Sequence, residues 1–556
     1  MNRILAPACI YLFFMSKKKT TVNSAKKQDS VLNIPYSQTT FEAKYSKYLW
    51  LIIPILTFLY YSYRKIAVGF YQDDEVAQYI NMLQFWQDPF SILGNGPKPG
   101  YKIFMVVPAL ISYDAVLIIN SLIASITVYL TYILLKVYKV NFAYLGALLL
   151  ATQPMFVGLS FRSYSEIFTS LCLATFLILY KKDKFLLSGL ILGYIFTIRQ
   201  EIVLLILIIG VIFIRGKYYL PAAALAVFPL IYNLLGWIKT GDILFVLTEM
   251  QSVAGLNYKS QGLLHYFKVY IYIVGPVNLG LFLLGFFGFI NDTSRWKEYI
   301  QKYFLFYIIF LSVFIIQMLT MLNDGPNPGN WRYLLHISPI CAFFAAIGFN
   351  NISIEKFRSS FFILTGFLAV MVLLFLSYSN DGFILLENAN YTAFAFIALF
   401  GLLVLVLSVS GKKGNMVYLS ILLILLSAAY IYFVEPKKLS PENISVKEAA
   451  EFLETLPEKD SRLKLVNHSF VRFYSPAFKN NPQSFKFINS KTLNEAPKGT
   501  YIIWETHYGM RDKMAGDDGL FWDVPVTTFQ DTVKYKLLKV FTSSDRRFEA
   551  YIIEKQ

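Results

Sequence analysis

Residues 69–80 read GFYQDDEVAQYI, setting Asp73, Asp74 and Glu75 side by side just past the first apolar segment. A carboxylate there can take a proton from a hydroxyl, which is a poor nucleophile until a base assists it. The plainer reading is a solvated helix start, with Asp73 as the cap and Glu75 in the first turn beside the positive end of the helix dipole. Adjacent acids usually differ in role. One would be the base, Asp74 at the middle of the run or else Asp73, and its neighbour would orient an acceptor, bind a cation or raise the first one's pKa. Two adjacent carboxylates can bind a divalent cation through oxygen, but no His or Cys spacing that would specify zinc occurs.

Other polar groups sit where apolar stretches begin or end. FRSYSEIF places Arg162 and Glu166 four residues apart, on one face if helical and within reach of an intrahelical ion pair. IRQE adds Arg199 and Glu201, and NPGNWRYLLHISP adds Arg332 just before an apolar run. Residues 237–266 contribute Lys239, Lys259 and His265, of which Lys259 suits contact with lipid headgroups equally well. A departing phosphate needs fixed cations, and Arg matches its planar, bidentate geometry. Arg162, Arg199, Lys259, His265 and Arg332 are therefore the candidate phosphate ligands, with Glu75, Glu166 and Glu201 as groups that position donor or acceptor.

The elements that must carry these residues are mostly membrane spans. Of 556 residues, 56% are hydrophobic, 17% aromatic and only 15% charged. Apolar runs near the ~20 residues that cross a bilayer recur between residues 48 and 434, which implies a mainly α, polytopic transmembrane helix bundle. The net charge of +16 would suggest nucleic acid in a soluble protein. Here Lys and Arg gather in short loops instead, so the charge is a topology signal. With the basic residues 1–47 in the cytoplasm, positive charge returns on alternate loops: Lys136 and Lys139, KKDK at 181–184, RGK at 215–217, SRWKEYIQK at 294–302, EKFR at 355–358 and GKK at 411–413. About thirteen spans result. The long apolar stretch 186–214 divides at Arg199-Gln200-Glu201, since three polar groups at mid-span would be costly in lipid. The first outside loop, about 64–113, contains the acidic run and FWQDPFSILGNGPKPGYKIF, whose aromatics and Pro/Gly punctuation indicate interfacial helices joined by turns.

An odd number of spans puts residues 435–556 outside. Their composition is that of a soluble α/β domain: SVKEAAEFLETLP has helical periodicity, while RLKLVNHS, TYIIWETHY and RRFEAYIIEK have the aromatic and β-branched content of strands. Cys9, Cys172 and Cys341 form no disulfide or metal-thiolate pattern. The opening MNRILAPACIYLFFM lacks a signal-peptide cleavage site, and MSKKKTTVNSAKK from Met15 reads as a basic cytoplasmic start, so translation is expected to begin there.

These features resemble the polyprenyl-phosphate-sugar-dependent glycosyltransferases of the GT-C superfamily. The resemblance rests on the acids of YQDDE in the first outside loop, on FRSYSEIF, and on NWRYLLHISPICAFFAAIGF. The last two are similar to segments of the dolichyl-phosphate-mannose mannosyltransferases. Where those proteins carry His-Pro before the acids and His-Lys-Glu before the Arg-aromatic pair, this sequence has FYQ and NPGN. The resemblance implies a hexosyltransferase, mannosyltransferase-like, in the bacterial inner membrane and acting on the cell envelope. It implies inverting transfer from a polyprenyl-phosphate-linked sugar to a lipid, glycan or protein acceptor, with Asp74 or Asp73 taking the acceptor proton.

A transporter or flippase of lipid-linked sugars is the main alternative, with charged groups near the membrane midplane and internal repeats. A polymerase or ligase of such sugars would hold its decisive Arg and His in large later loops. A receptor or assembly factor would use residues 435–556 to bind a partner. The topology is directly testable: reporter fusions at Lys412 and at the C-terminus should report opposite sides of the membrane.

Overall fold

The computed structural model describes residues 40–94, 96, 98–255, 258, 260–322, 324–352, 392–393, 395–403, 415–510 and 524–556. Six helices among them are long and apolar enough to cross a membrane: Tyr113–Val137, Tyr219–Thr240, Pro276–Lys302, Phe304–Met321, Trp331–Asn351 and Met416–Phe433. Pro99–Ile111 and Phe185–Phe196 are shorter apolar helices. The basic loops at 355–358 and 411–413, like the start near Met15 and Cys9, lie outside the described residues.

The helices pack through one extended apolar core. Helix Tyr113–Val137 lies against Ile52–Tyr63 and Glu166–Lys181, and Pro276–Phe286 lies against Ser338–Asn351. That last pair is close-packed because Gly285 and Gly348 face it; a methyl group at either would collide with the Phe344 or Leu281 carbonyl. Small residues that let backbones approach are the usual means of joining helices in lipid, where apolar burial alone gives no preference.

Polar residues break the helices where lipid would penalise them. The stretch 186–214 divides into helices Phe185–Phe196 and Val203–Arg215, with Arg199 extended (φ −140°, ψ 103°) between them. The FRSYSEIF segment differs from expectation. Its helix starts only at Glu166, and Arg162 lies in the irregular turn after helix Pro154–Leu159. Arg162 and Glu166 therefore share no helical face and form no intrahelical pair. Arg162 Nε instead donates to the Gly158 carbonyl at 2.9 Å.

Among the described residues the C-terminal part forms a five-stranded sheet in the order β2-β1-β3-β5-β4. Its strands are β1 Lys464–Val466, β2 Phe485–Lys486, β3 Tyr501–Glu505, β4 Tyr535–Thr542 and β5 Glu549–Lys555. β1 runs parallel to β2 and β3, while β5 is antiparallel to β3 and β4. β3 is buried along its whole length, which suits the unbroken apolar run YIIW of a central strand. Helix Pro441–Leu453, which covers most of SVKEAAEFLETLP, packs on the sheet through Val446, Ala450 and Leu453.

Helix Asp74–Gln84 joins the two regions. Val76 and Ile80, four residues apart, enter the core formed by Ala450, Phe470 and Ile552. Tyr79 and Met82, on another face, enter the helical core. Removing Ile80 from the junction should loosen the C-terminal region: Ile80→Ala is expected to cost about 2–5 kcal/mol and to lower the detergent melting midpoint, while Val107→Ala, at an exposed position, leaves it nearly unchanged.

Candidate functional site

The three adjacent acids leave the start of helix Asp74–Gln84 in different directions, because successive helical residues are rotated by about 100°. Glu75 turns inward. It is buried, accepts the Tyr113 hydroxyl at 2.6 Å and the Tyr71 backbone N–H at 3.1 Å, and pairs with Arg162 at 3.1 Å. Asp74 stays half-exposed and pairs with Arg332. Asp73 occupies the N-cap position but makes no capping bond. It accepts the Tyr508 hydroxyl at 3.2 Å, across the junction with the C-terminal sheet.

Asp74 opens onto a buried charge chain. Glu166, fully buried at the start of its helix, takes Arg199 on one carboxylate oxygen, with Arg332 Nη1 3.5 Å from that same atom. Arg199 also holds Glu201 at 3.2 Å. The Arg332 guanidinium lies over the Tyr164 ring at 4.6 Å, and Arg199 lies over Tyr333 at 5.3 Å. Aromatic faces favour a cation and present no competing hydrogen-bond acceptor at the ring centre. Glu166 Oε2, Arg199 Nε and Arg332 Nε are buried with no hydrogen-bond partner among the described residues. Each of these atoms is free to hydrogen-bond a further polar group.

Lys98 completes the set. It is the N-cap residue of helix Pro99–Ile111, has a left-handed backbone (φ 60°), and interacts electrostatically with Arg199, Glu166, Arg332 and Glu201. Burial first, then the charge of Arg199, pushes its ammonium down to about 8. A non-glycine residue held at positive φ costs free energy that surrounding structure must supply, a common feature of functional sites. Its signal in the sequence is weak, a lysine inside Pro/Gly punctuation that reads most simply as a turn.

The remaining candidates are distributed differently. Arg162 is buried against Glu75 and donates to the Ala67 carbonyl at 3.3 Å, so it is not part of the Arg199–Arg332 group. A cleft of about 420 Å³ opens beside that pair, between the helices and the C-terminal region. His265 is buried, with Nε2 2.7 Å from the Gly329 carbonyl, and so supports the loop that precedes Arg332. Lys239 donates to the Phe90 carbonyl at 2.9 Å. Lys259 lies outside the described residues.

No protein-family model and no curated protein matches the sequence. Solved structures do match. The crystal structure of ArnT from Cupriavidus metallidurans bound to undecaprenyl phosphate aligns with a TM-score of 0.55 and 10% identity, covering 91% of this chain and 98% of that one. Its apo form aligns with a TM-score of 0.56 and the same coverage. The chain shares the overall fold of ArnT. AglB from Archaeoglobus fulgidus, an archaeal oligosaccharyltransferase in complex with an inhibitory peptide and a dolichol-phosphate, aligns over 91% of this chain and 74% of that one. Its 12% identity and TM-score of 0.42 add no weight.

Within this fold the three acids should separate experimentally. Glu75→Gln leaves the buried Arg162 charge without its partner and should cost about 3–5 kcal/mol. Asp74→Asn, at a half-exposed position, should barely move the melting curve in detergent.

Proposed function

We propose that this chain is an integral membrane glycosyltransferase that moves a sugar from a polyprenyl-phosphate donor to a lipid, glycan or protein acceptor. The observation that carries this reading is the chain Asp74–Arg332–Glu166–Arg199, which joins an outward-facing carboxylate to buried arginines with unused donors. The GT-C fold supports it, as does ArnT, whose structure holds undecaprenyl phosphate at the same coverage of the chain. The reacting face is extracytoplasmic, with residues 1–47 inside, 48–434 forming the membrane domain and 435–556 outside. Alternating loop charge supports that orientation.

Arg199, Arg332 and Lys98 receive the lipid phosphate. Arg332 is the shared cation: without donor it neutralises Asp74, and when phosphate arrives it turns to the phosphate and frees the carboxylate. Asp74 then accepts the proton of the acceptor hydroxyl as that oxygen attacks the anomeric carbon. The bond from that carbon to the phosphate oxygen breaks, the electron pair leaves with the polyprenyl phosphate, and configuration inverts. Glu166 and Glu201 keep the arginines in place. Arg162, spent on Glu75, fixes the helix start that aims Asp74, and is no longer assigned to phosphate. Asp73, directed at the C-terminal region, is secondary to Asp74 as base.

Transfer from a panel of polyprenyl-phosphate sugars in liposomes tests the reading, with mannose first because of the sequence resemblance. Asp74→Asn should lower turnover by the ~10²- to 10⁴-fold typical of a lost general base, with donor binding at least as tight as in wild type, and Asp73→Asn should lower it less. Arg199→Ala and Arg332→Ala should weaken donor binding roughly 10- to 100-fold, the equivalent of about 1.5–3 kcal/mol for charge-assisted hydrogen bonds. Full activity in Asp74→Asn, or no transfer from any donor, overturns it.

A further inference from the structure

A second cluster of chemically capable side chains lies where the C-terminal sheet meets the first loop. His468 follows β1 by two residues and His507 follows β3 by two, so both stand at the carboxyl ends of adjacent parallel strands. Open α/β sheets bind ligands at such ends. Glu442, in the first turn of helix Pro441–Leu453, meets them from a third element, with Oε1 3.0 Å from His468 Nε2 and 2.7 Å from His507 Nδ1. Asp73 closes the group from the membrane side, with Oδ2 3.6 Å from His507 Nε2. Each residue can offer one ligand atom, and these atoms all lie within 4.8 Å of one another. Metal–ligand bonds of about 2.0–2.2 Å put two ligands of one ion at most about 4.4 Å apart, so a small contraction suffices.

The hydrogen bonds sort the roles. The Phe470 backbone N–H donates to His468 Nδ1 at 3.2 Å, which leaves the His468 proton on Nε2, directed at Glu442. His468 is thereby a positioning residue for that carboxylate. Tyr508 does the same for Asp73 through its hydroxyl. Metal-binding carboxylates and imidazoles are commonly held by such outer partners. Buried Glu505 lies nearby with Oε1 unpartnered among the described residues. Three carboxylates thus surround two imidazoles in a partly desolvated place.

We propose that Asp73, Glu442 and His507 bind a divalent transition-metal ion, Zn²⁺ or Mn²⁺, which clamps the C-terminal region onto the first turn of helix Asp74–Gln84. The mixed oxygen and imidazole donors suit such ions better than Mg²⁺ or Ca²⁺, which prefer oxygen alone. The clamp is independent of glycosyl transfer: a chain inactive on every donor would still bind the ion.

The test uses the full-length protein in detergent, stripped with a chelator and titrated with Zn²⁺ and, separately, Mn²⁺, with metal content and melting curves as readouts. The expected result is about one ion per chain and a raised melting midpoint with at least one of the two ions. His507→Ala and Glu442→Gln should bind that ion at least about tenfold more weakly, and His468→Gln should keep the site at roughly 10- to 100-fold lower affinity. If His507→Ala does not fold, Asp73→Asn serves as the ligand variant. Binding of neither ion, with melting curves identical before and after chelation, would leave His507 as a hydrogen-bonded bridge between Glu442 and Asp73 and overturn the proposal. Binding unaffected by all ligand variants would overturn it equally.

Discussion

Three consecutive carboxylates at a helix start cannot share one partner, because the helix turns each side chain about 100° from the last. In this protein that rotation distributes Glu75 to Arg162 in the helical core, Asp74 to Arg332, and Asp73 to Tyr508 on the C-terminal sheet. One helical turn therefore fixes the bundle, the charge chain and the C-terminal region relative to one another. The apolar residues of the same helix repeat the division, with Val76 and Ile80 facing one core and Tyr79 and Met82 the other. A helix anchored on both faces keeps its first turn still, and a carboxylate at that turn is aimed by the whole assembly.

Buried charge is tolerable only where it is paired and hydrogen-bonded. Arg162 meets this condition fully: Glu75 and the Gly158 and Ala67 carbonyls occupy its guanidinium. Arg199 and Arg332 do not, since each keeps a buried Nε without a partner among the described residues, and the Glu166 between them keeps a bare oxygen. The difference separates an ion pair that holds a fold from a group of ions with capacity in reserve. In the proposed function the acceptor oxygens of a phosphate take the two Nε–H donors, at a position from which Arg332 also reaches Asp74.

The sequence made the helix break at Arg199 legible, because polar groups in mid-span have few tolerable locations, and it made three strands legible through YIIW, KLV and AYII. Strand β4 was less so: YKLLKVFT mixes lysines with apolar residues and resembles a solvated segment until it pairs with β5. Which arginine serves which acid was not legible. Arg162 and Arg332 lie at similar junctions of polar and apolar sequence, and only contacts across 87 and 258 residues distinguish them. The four-residue spacing of Arg162 and Glu166 misled because Arg162 lies in a turn before the helix begins. The Asp73, Glu442, His468 and His507 group was invisible for a related reason. Its members come from separate elements, so no short spacing announces them, and folding alone brings them together.

The proposed mechanism requires that Arg332 be shared between Asp74 and an incoming phosphate. Its most direct test is the equilibrium affinity for a polyprenyl phosphate that carries no sugar, compared between the wild-type protein and Asp74→Asn. Without a carboxylate to leave, Arg332 should bind the phosphate more readily, so Asp74→Asn should bind it more tightly than wild type. Binding weakened in Asp74→Asn as far as in Arg332→Ala would mean that the pair only holds the structure, and would contradict the account.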